Sequence, residues 1–188
     1  LLADVFDDTL FGGATFGDLA NGPGRPFITL SATDMVAGTR FEFVQEQFDL
    51  LCADLSRLPL ARAVAASAAV PLLMSPVMLV NRAGTCGYPD LAAVDRALQE
   101  RRSSSRQVHY LNKLRSYLDA PARPFIYLLD GGLADNLGLR SPLETVFMQD
   151  GAWPLVQRLG IADVRKVLFI VVNASTAPDP RVSRAASL

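Results

Sequence analysis

The feature that most constrains the fold is an apolar segment that runs directly into an acidic residue and two glycines. Residues 125–129 (Phe-Ile-Tyr-Leu-Leu) predict a short β-strand, and Asp130-Gly131-Gly132 follows immediately. Glycine adopts backbone angles closed to other residues and allows another segment to approach closely. In open α/β sheets, ligands bind beyond the carboxyl ends of the strands, which makes Asp130 a candidate site residue. Taken alone, the segment is more typical of an ordinary Asp-Gly turn.

The remainder of the chain mixes predicted strands with predicted helices, which indicates an α/β layered domain. Strands are expected over 27–33 and 40–44, where they can pair as a hairpin, and a buried strand is expected over 167–172. Helices are expected over 59–69, 90–102, 106–118 and 141–159. The first of these helices is so rich in alanine that it should pack closely against another element.

Composition excludes several classes of protein. The formal net charge of the 188 residues is −1, so neither a nucleic-acid partner nor charge-driven disorder is indicated. No apolar run reaches the roughly 18 residues that a membrane-spanning helix requires. The chain opens on Leu1 without the pattern of a signal peptide, so we expect its natural start to be missing or processed away. Export, membrane association and a cytoplasmic location all stay open.

The two cysteines, Cys52 and Cys86, lack metal-ligand spacing, and His109 is the only histidine in the sequence. No metal site is therefore expected, and His109 is interpreted as a surface or structural residue. The cysteines form either a disulfide, if the protein is exported, or two free thiols, which is the blander interpretation.

Three segments occur in a characteristic order. The first is Leu30-Ser31-Ala32-Thr33-Asp34 with Gly38 and Phe41-Glu42-Phe43, the second is Arg62–Pro71 followed by Ser75-Pro76-Val77, and the third is Asp130-Gly131-Gly132 with Asn136. In this order they resemble the patatin-like phospholipase family, over roughly residues 26–175. The ordered set is much more specific than the Asp-Gly-Gly segment alone.

The resemblance implies an α/β fold with a three-layer, patatin-like sheet and helices on both faces. On this interpretation residues 1–25 are a lead-in, 26–175 are the C-terminal part of an acyl hydrolase domain, 82–123 are a variable helical insert and 176–188 are a flexible tail. The N-terminal strands of the family sheet are expected to be missing from this chain. The segment should then need its missing N-terminal half to fold stably.

The family hydrolyses acyl esters through a serine–aspartate dyad and uses neither a metal nor an organic cofactor. The resemblance implies that Asp130 is the dyad acid, which accepts the serine proton directly or through water. It also implies that Gly131, Gly132 and Asn136 support the active-site loop. The expected partner is a lipid or other acyl-ester substrate, with peripheral membrane contact as a further interpretation.

The sequence departs from the family pattern at the nucleophile. It contains neither the Gly-x-Ser-x-Gly elbow nor the glycine-rich oxyanion loop, so no nucleophile is assigned in this chain. Both elements precede the matching region in the family, and we expect the chain to begin after them. Ser67 is the alternative candidate for the nucleophile, but its surroundings match the segment that ends a structural helix in the family.

Two further interpretations stay open. The chain is alternatively a truncated, non-catalytic relative that acts as a lipid- or protein-binding module. The basic segment 101–106 is either a contact for anionic lipid headgroups or a solvated loop, which is the favoured interpretation. The apolar pieces 72–74 and 77–80 either line an acyl pocket or, as expected for most of them, pack in the core.

Overall fold

The computed structural model describes residues 2–20, 28–87 and 105–140, together with Leu168, Ile170 and Val171. The chain divides into two compact units, Leu1–Asn136 and Leu137–Leu188. The first unit combines helices with a four-stranded antiparallel sheet, so the fold is mixed α and β. The helices expected over 90–102 and 141–159, and the tail over 176–188, lie outside the described residues.

The sheet contains the strands β1 (Ser31–Asp34), β2 (Thr39–Glu42), β3 (Val77–Val80) and β4 (Phe125–Leu129). Their spatial order is β2-β1-β4-β3, and each pair of neighbours is antiparallel. The predicted hairpin is confirmed, because Ala32 of β1 lies opposite Phe41 of β2. The strand predicted over 125–129 is confirmed residue for residue and lies inside the sheet between β1 and β3.

The helices of the described chain are α1 (Leu2–Phe6), α2 (Phe16–Ala20), α3 (Gln45–Leu50), α4 (Leu60–Ser67), α5 (Ser105–Leu118) and α6 (Gly132–Asp135). A π-helical turn, Asp7–Phe11, continues α1, and a 3₁₀ turn, Leu55–Arg57, precedes α4. Helices α4 and α5 confirm the predictions over 59–69 and 106–118. Helix α4 begins directly after Pro59, whose fixed φ and missing N–H suit a helix start.

The core lies against one face of the sheet. In β4, Ile126 and Leu128 are buried whereas Phe125 and Tyr127 are exposed, which is the alternation of a strand covered on one side. The Phe41 ring packs edge-on against Phe43, Phe48 and Tyr117, with centroids 5.5, 6.0 and 6.1 Å away. The close packing predicted for the alanine-rich helix is also confirmed, since most alanines of α4 are fully buried.

A buried carboxylate joins the hairpin to the C-terminal part of the described chain. Asp34, at the end of β1, is fully buried. Its Oδ2 accepts a 2.7 Å hydrogen bond from the Tyr117 hydroxyl, and its Oδ1 accepts hydrogen bonds from the Arg123 guanidinium and the backbone N–H groups of Val36 and Ala37. The Arg123 guanidinium also lies 5.1 Å from the centre of the Tyr117 ring. Removing one partner from such a buried ion pair costs about 3–5 kcal/mol, because the other charge is left uncompensated.

A second buried polar side chain fixes the same region. The Asn81 amide donates hydrogen bonds of 2.8 Å to the carbonyl of Tyr117 and 2.9 Å to the carbonyl of Arg123. Asn81 therefore holds the main chain of Tyr117 and Arg123, the two residues whose side chains bind the Asp34 carboxylate. Both residues belong to the range 82–123, expected as a variable insert, and the end of that range is an integral part of the core.

The two cysteines are joined by a disulfide, with the Cα atoms of Cys52 and Cys86 5.5 Å apart. Cys52 follows α3 in a left-handed conformation, with φ of 48°. The bond ties the end of α3 to the loop that follows β3. The sequence left open whether the two cysteines form a disulfide or are free thiols, and the structure contains the disulfide.

Two expectations about apolar segments are wrong. Leu168, Ile170 and Val171 are exposed and carry no strand structure, although a buried strand was expected over 167–172. The other residues of that range, Val167, Phe169 and Val172, lie outside the described residues.

The segment 72–74 was expected to pack in the core, but Leu72, Leu73 and Met74 are all exposed. Leu72 adopts a left-handed conformation with φ of 71° after Pro71, and this reversal turns the segment outward. In the neighbouring strand β3, only Leu79 is buried.

The burial of Tyr117 predicts a loss of stability in alkali. Burial, reinforced by the Asp34 carboxylate, raises the pKa of the Tyr117 hydroxyl. The unfolded chain releases this proton above pH of about 10 whereas the folded chain retains it, so the free energy of unfolding falls by about 1.4 kcal/mol per pH unit above that point. Urea denaturation from pH 8 to 11 measures this slope. Tyr117→Phe should lack this component, and an identical slope in both proteins would contradict the prediction.

The Cys52–Cys86 disulfide predicts how many thiols are reactive before and after reduction. Protein that is denatured without reductant should show no reactive thiol, and reduction should release the thiols of Cys52 and Cys86. Titration with a thiol reagent before and after reduction makes the measurement. Two thiols in the non-reduced sample would show that the bond is absent in solution.

Candidate functional site

The residues predicted from the sequence to form the site lie together in the first unit. Asp130 follows β4 directly, Gly131 precedes α6, and Gly132 opens that helix. Asn136 ends the same helix. Strand β4, helix α6, the end of α4 and strand β1 meet at this point, and each contributes a contact to Asp130 or its neighbours.

The main chain around Asp130 is held on both sides. Its N–H donates a 2.9 Å hydrogen bond to the carbonyl of Ala69, and the N–H of Gly131 donates one of 3.0 Å to the carbonyl of Ser67. The carbonyl of Asp130 accepts a 2.7 Å hydrogen bond from the Thr33 hydroxyl. The backbone that carries the carboxylate is therefore fixed by α4 on one side and by β1 on the other.

The Asp130 carboxylate is partly buried and has one anchored oxygen. Its Oδ1 accepts a 2.8 Å hydrogen bond from the N–H of Gly132, whereas Oδ2 forms no hydrogen bond with any residue that the structure describes. An ionised carboxylate accepts hydrogen bonds at both oxygens. The arrangement can hold the group in one orientation and still offer an oxygen to an incoming hydroxyl or water.

Both glycines are required by close approach and not by unusual backbone angles. Gly131 has an ordinary helical φ of −63°, but a Cβ on it would lie 2.7 Å from the main-chain oxygen of Ser31. A Cβ on Gly132 would lie 2.8 Å from Asn136 Oδ1 and 2.9 Å from Asp130 Oδ1. The Asp130 and Asn136 oxygens therefore converge above the Cα of Gly132, so a Cβ at this position would displace one or both of these side chains.

Sequence reasoning did not assign Thr33 to the site, although it lies in one of the three ordered segments. This residue is 5% exposed, and its hydroxyl both donates to the Asp130 carbonyl and accepts a 3.1 Å hydrogen bond from the N–H of Ala134. A threonine in a strand normally reflects β-propensity, so no local signal reveals this role. Thr33 positions the start of α6 as well as the end of β4.

Asp135, a second acidic residue near the candidate site, forms an ion pair with Arg40. The Asp135 carboxylate lies 3.6 Å from an Arg40 guanidinium nitrogen, and Arg40 also binds Glu42 at 3.1 Å. Asp135 is well buried, with 6% of its side chain exposed. It therefore serves a pairing role in the structure, in contrast to Asp130.

Ser67 lies close to the site without joining it chemically. Its Oγ would be 3.4 Å from a Cβ on Gly131, and its carbonyl accepts the Gly131 N–H. Within the described contacts, no hydrogen bond links its hydroxyl to Asp130. The geometry agrees with a structural role at the end of α4.

The expectation that a ligand binds beyond the carboxyl end of β4 applies to open sheets of parallel strands. The described sheet is antiparallel, so this expectation does not support a site at Asp130. Two surface cavities lie elsewhere in the first unit. One, of about 670 Å³, is lined by residues that include Arg115, Phe125 and Tyr127, and the other, of about 550 Å³, is lined by three arginines. Neither cavity is lined by Asp130.

The described residues contain neither a metal-binding cluster nor a membrane-spanning helix. No group of three or more histidine, cysteine, aspartate or glutamate side chains is arranged to bind a metal in that part of the chain. No helix within the described ranges combines the length and apolarity needed to cross a membrane. His109 lies on α5, but its side chain is outside the part that the structure describes.

The two glycines predict different responses to alanine. Gly131→Ala should lower the free energy of unfolding by about 1–3 kcal/mol, because its Cβ meets a main-chain oxygen that can move only with the strand. Gly132→Ala should cost less, since its Cβ meets side-chain oxygens that can rotate away. Urea denaturation of both variants makes the comparison, and equal stability of Gly131→Ala and the natural protein would contradict it.

Comparison of the chain with family models, with curated proteins and with solved structures gave no match. The case for a function therefore depends on the ordered sequence segments and on the geometry around Asp130.

Proposed function

We propose that this chain is the aspartate-bearing portion of a patatin-like serine acyl hydrolase, of phospholipase or lipase type. Asp130 is the acid of its serine–aspartate dyad, and Gly131, Gly132 and Asn136 support the active-site loop. The nucleophilic serine and the oxyanion hole come from polypeptide outside these 188 residues. The substrate is a lipid or another acyl ester.

The observation that carries the proposal is the way the Asp130 carboxylate is held. Its backbone is fixed by Ala69 and Thr33, and one carboxylate oxygen is fixed by the N–H of Gly132. A general base must be positioned within hydrogen-bond reach of the proton that it removes. A carboxylate oriented through one oxygen can present the other to a serine hydroxyl without losing its anchor.

The chemistry follows from this orientation. Asp130 accepts the serine proton as the serine oxygen attacks the ester carbonyl, and hydrogen-bond donors at the oxyanion hole stabilise the tetrahedral intermediate. Collapse of that intermediate expels the alcohol, which takes the proton from Asp130, and leaves an acyl-enzyme. Asp130 then removes a proton from water, which attacks the acyl-enzyme, and it returns that proton to the serine oxygen as the acid is released. This scheme uses no metal and no organic cofactor.

We propose that the intact domain has a three-layer architecture, with helices on both faces of the sheet. The apolar side chains on the exposed face of the described sheet support this proposal. Residues Met78, Val80, Phe125 and Tyr127 alternate with buried residues on β3 and β4 and are 36–45% exposed. Apolar side chains grouped in this way are typical of a surface that another element covers. The N-terminal half of the domain is the element we assign to this role.

One observation favours a second function, that of a non-catalytic module that binds lipid or protein. The adjacent side chains Leu72 and Leu73 project outward and are 105% and 81% exposed. Exposed neighbouring leucines are a feature of surfaces that contact membranes or partners. This alternative requires no nucleophile.

The test is p-nitrophenyl ester hydrolysis by the intact, full-length protein. Asp130→Asn should lower kcat by about 10²–10⁴-fold, the usual contribution of a positioned general base. Asp8→Asn is the matched control, because Asp8 is exposed and outside the site, and it should retain full activity. Equal rates for Asp130→Asn and the natural protein would remove Asp130 from the mechanism.

A fluorophosphonate probe separates the two functions. The hydrolase proposal expects the probe to label one serine of the intact protein. Binding to lipid vesicles without labelling and without ester hydrolysis would instead support the non-catalytic module.

A further inference from the structure

The smaller of the two cavities concentrates positive charge. It has a volume of about 550 Å³, and three arginines line it, Arg57, Arg62 and Arg82. The one carboxylate in its lining is Asp54, so its charged side chains sum to +2, three arginines less one aspartate. The complete chain carries a formal charge of −1, which makes this local excess a distinct feature of the surface.

Each arginine reaches the cavity from a different element. Arg57 ends the 3₁₀ turn, Arg62 lies in the first turn of α4, and Arg82 follows β3. The guanidinium of Arg62 donates a 2.7 Å hydrogen bond to the carbonyl of Met78, which fixes its position and leaves its other N–H groups for further contacts.

The disulfide holds the third arginine in place. The N–H of Arg82 donates a 3.1 Å hydrogen bond to the carbonyl of Leu51, beside Cys52, and the Cys52–Cys86 bond closes the same loop. Cys52 itself lines the cavity. Two of the three arginines thus sit on anchored segments before any ligand binds.

The charge of the three arginines is only partly offset within the described chain. No ion pair joins Arg57, Arg62 or Arg82 to a carboxylate among the described residues. Asp54 accepts hydrogen bonds of 2.9 and 2.7 Å from the N–H and hydroxyl of Ser56, and it lies at the start of the 3₁₀ turn. The Ser56 hydrogen bonds and, to a smaller extent, the Arg57 charge lower the pKa of the Asp54 carboxyl, and this carboxylate is already counted in the net charge of +2.

We propose that this cavity binds a phosphomonoester with an organic group attached. The planar guanidinium presents paired N–H groups that match the oxygens of phosphate, and it keeps its charge at all physiological pH values. The excess of +2 matches a doubly charged phosphomonoester more closely than a single carboxylate. The volume is in the range of about 300–1,000 Å³ that small organic ligands occupy, and Leu58, Leu79 and Val80 supply apolar lining beside the charge.

The site is separate from the proposed acyl hydrolase centre, since Asp130 does not line this cavity. The two proposals can therefore fail independently. Asp130→Asn should leave phosphate binding unchanged, whatever its effect on ester hydrolysis.

Isothermal titration calorimetry with glycerol 3-phosphate tests the proposal. The intact protein should bind it, and glycerate, which carries one carboxylate, should bind at least about tenfold more weakly. Arg57→Gln and Arg82→Gln should each weaken the binding by about tenfold or more, since hydrogen bonds to charged groups contribute at that level. Both arginines are exposed, so these changes are expected to leave the fold intact.

Arg115→Gln is the matched control. Arg115 is exposed, lines the larger cavity and carries the same charge, so its substitution should leave glycerol 3-phosphate binding unchanged. An equal loss in Arg115→Gln and Arg82→Gln would mean that net charge alone attracts the ligand, and would overturn the site.

Vesicles distinguish the source of the phosphomonoester. Sedimentation with phosphatidic acid vesicles, but not with phosphatidylcholine vesicles, and its loss in Arg57→Gln would identify a lipid headgroup. Binding of glycerol 3-phosphate without vesicle binding would identify a small free ligand. Absence of binding in both experiments would overturn the proposal.

Discussion

The fold of the described chain depends on the compensation of one buried charge. Asp34 has no contact with solvent, and an unpaired carboxylate in that position would be strongly unfavourable. Its oxygens are satisfied only when the hairpin, the end of α5 and the segment before β4 are all in place, because Tyr117 and Arg123 are 83 and 89 residues away in sequence. The interaction therefore selects the one arrangement in which β4 lies beside β1.

Strand β1 also contributes to the candidate site, through the face that points away from the core. Successive side chains of a strand point to opposite sides, so Asp34 faces the core while its neighbour Thr33 faces away from it. Thr33 reaches the main chain of Asp130 and the start of α6. Any shift of β1 that weakened the buried ion pair would also move the threonine, which couples the stability of the core to the placement of the candidate catalytic carboxylate.

Local patterns predicted several elements, and they did not predict the long-range contacts around the candidate site. The strand over 125–129 and the two helices over 59–69 and 106–118 follow from apolar periodicity and proline positions, whereas Asn136 was assigned to the candidate site only through the family resemblance. The bonds from Thr33 to Asp130 and from Asp34 to Arg123 join residues 97 and 89 positions apart, and no local pattern encodes such pairs. The apolar run over 167–172 illustrates the opposite error, because its described residues Leu168, Ile170 and Val171 are exposed although their hydrophobicity predicted burial.

The hydrogen bond from Arg62 to Met78 has a consequence for growth of the sheet. Strand β3 is an edge of the described sheet, and its outward carbonyl groups would otherwise be free to pair with a further strand. The guanidinium already occupies the Met78 carbonyl, so β-augmentation along this border, whether by another region of the polypeptide or by a second molecule, first requires that arginine to be displaced. The border formed by β2 on the opposite side of the described sheet has no such described arginine contact to a strand carbonyl, so the two edges differ in how readily a further strand could pair with them.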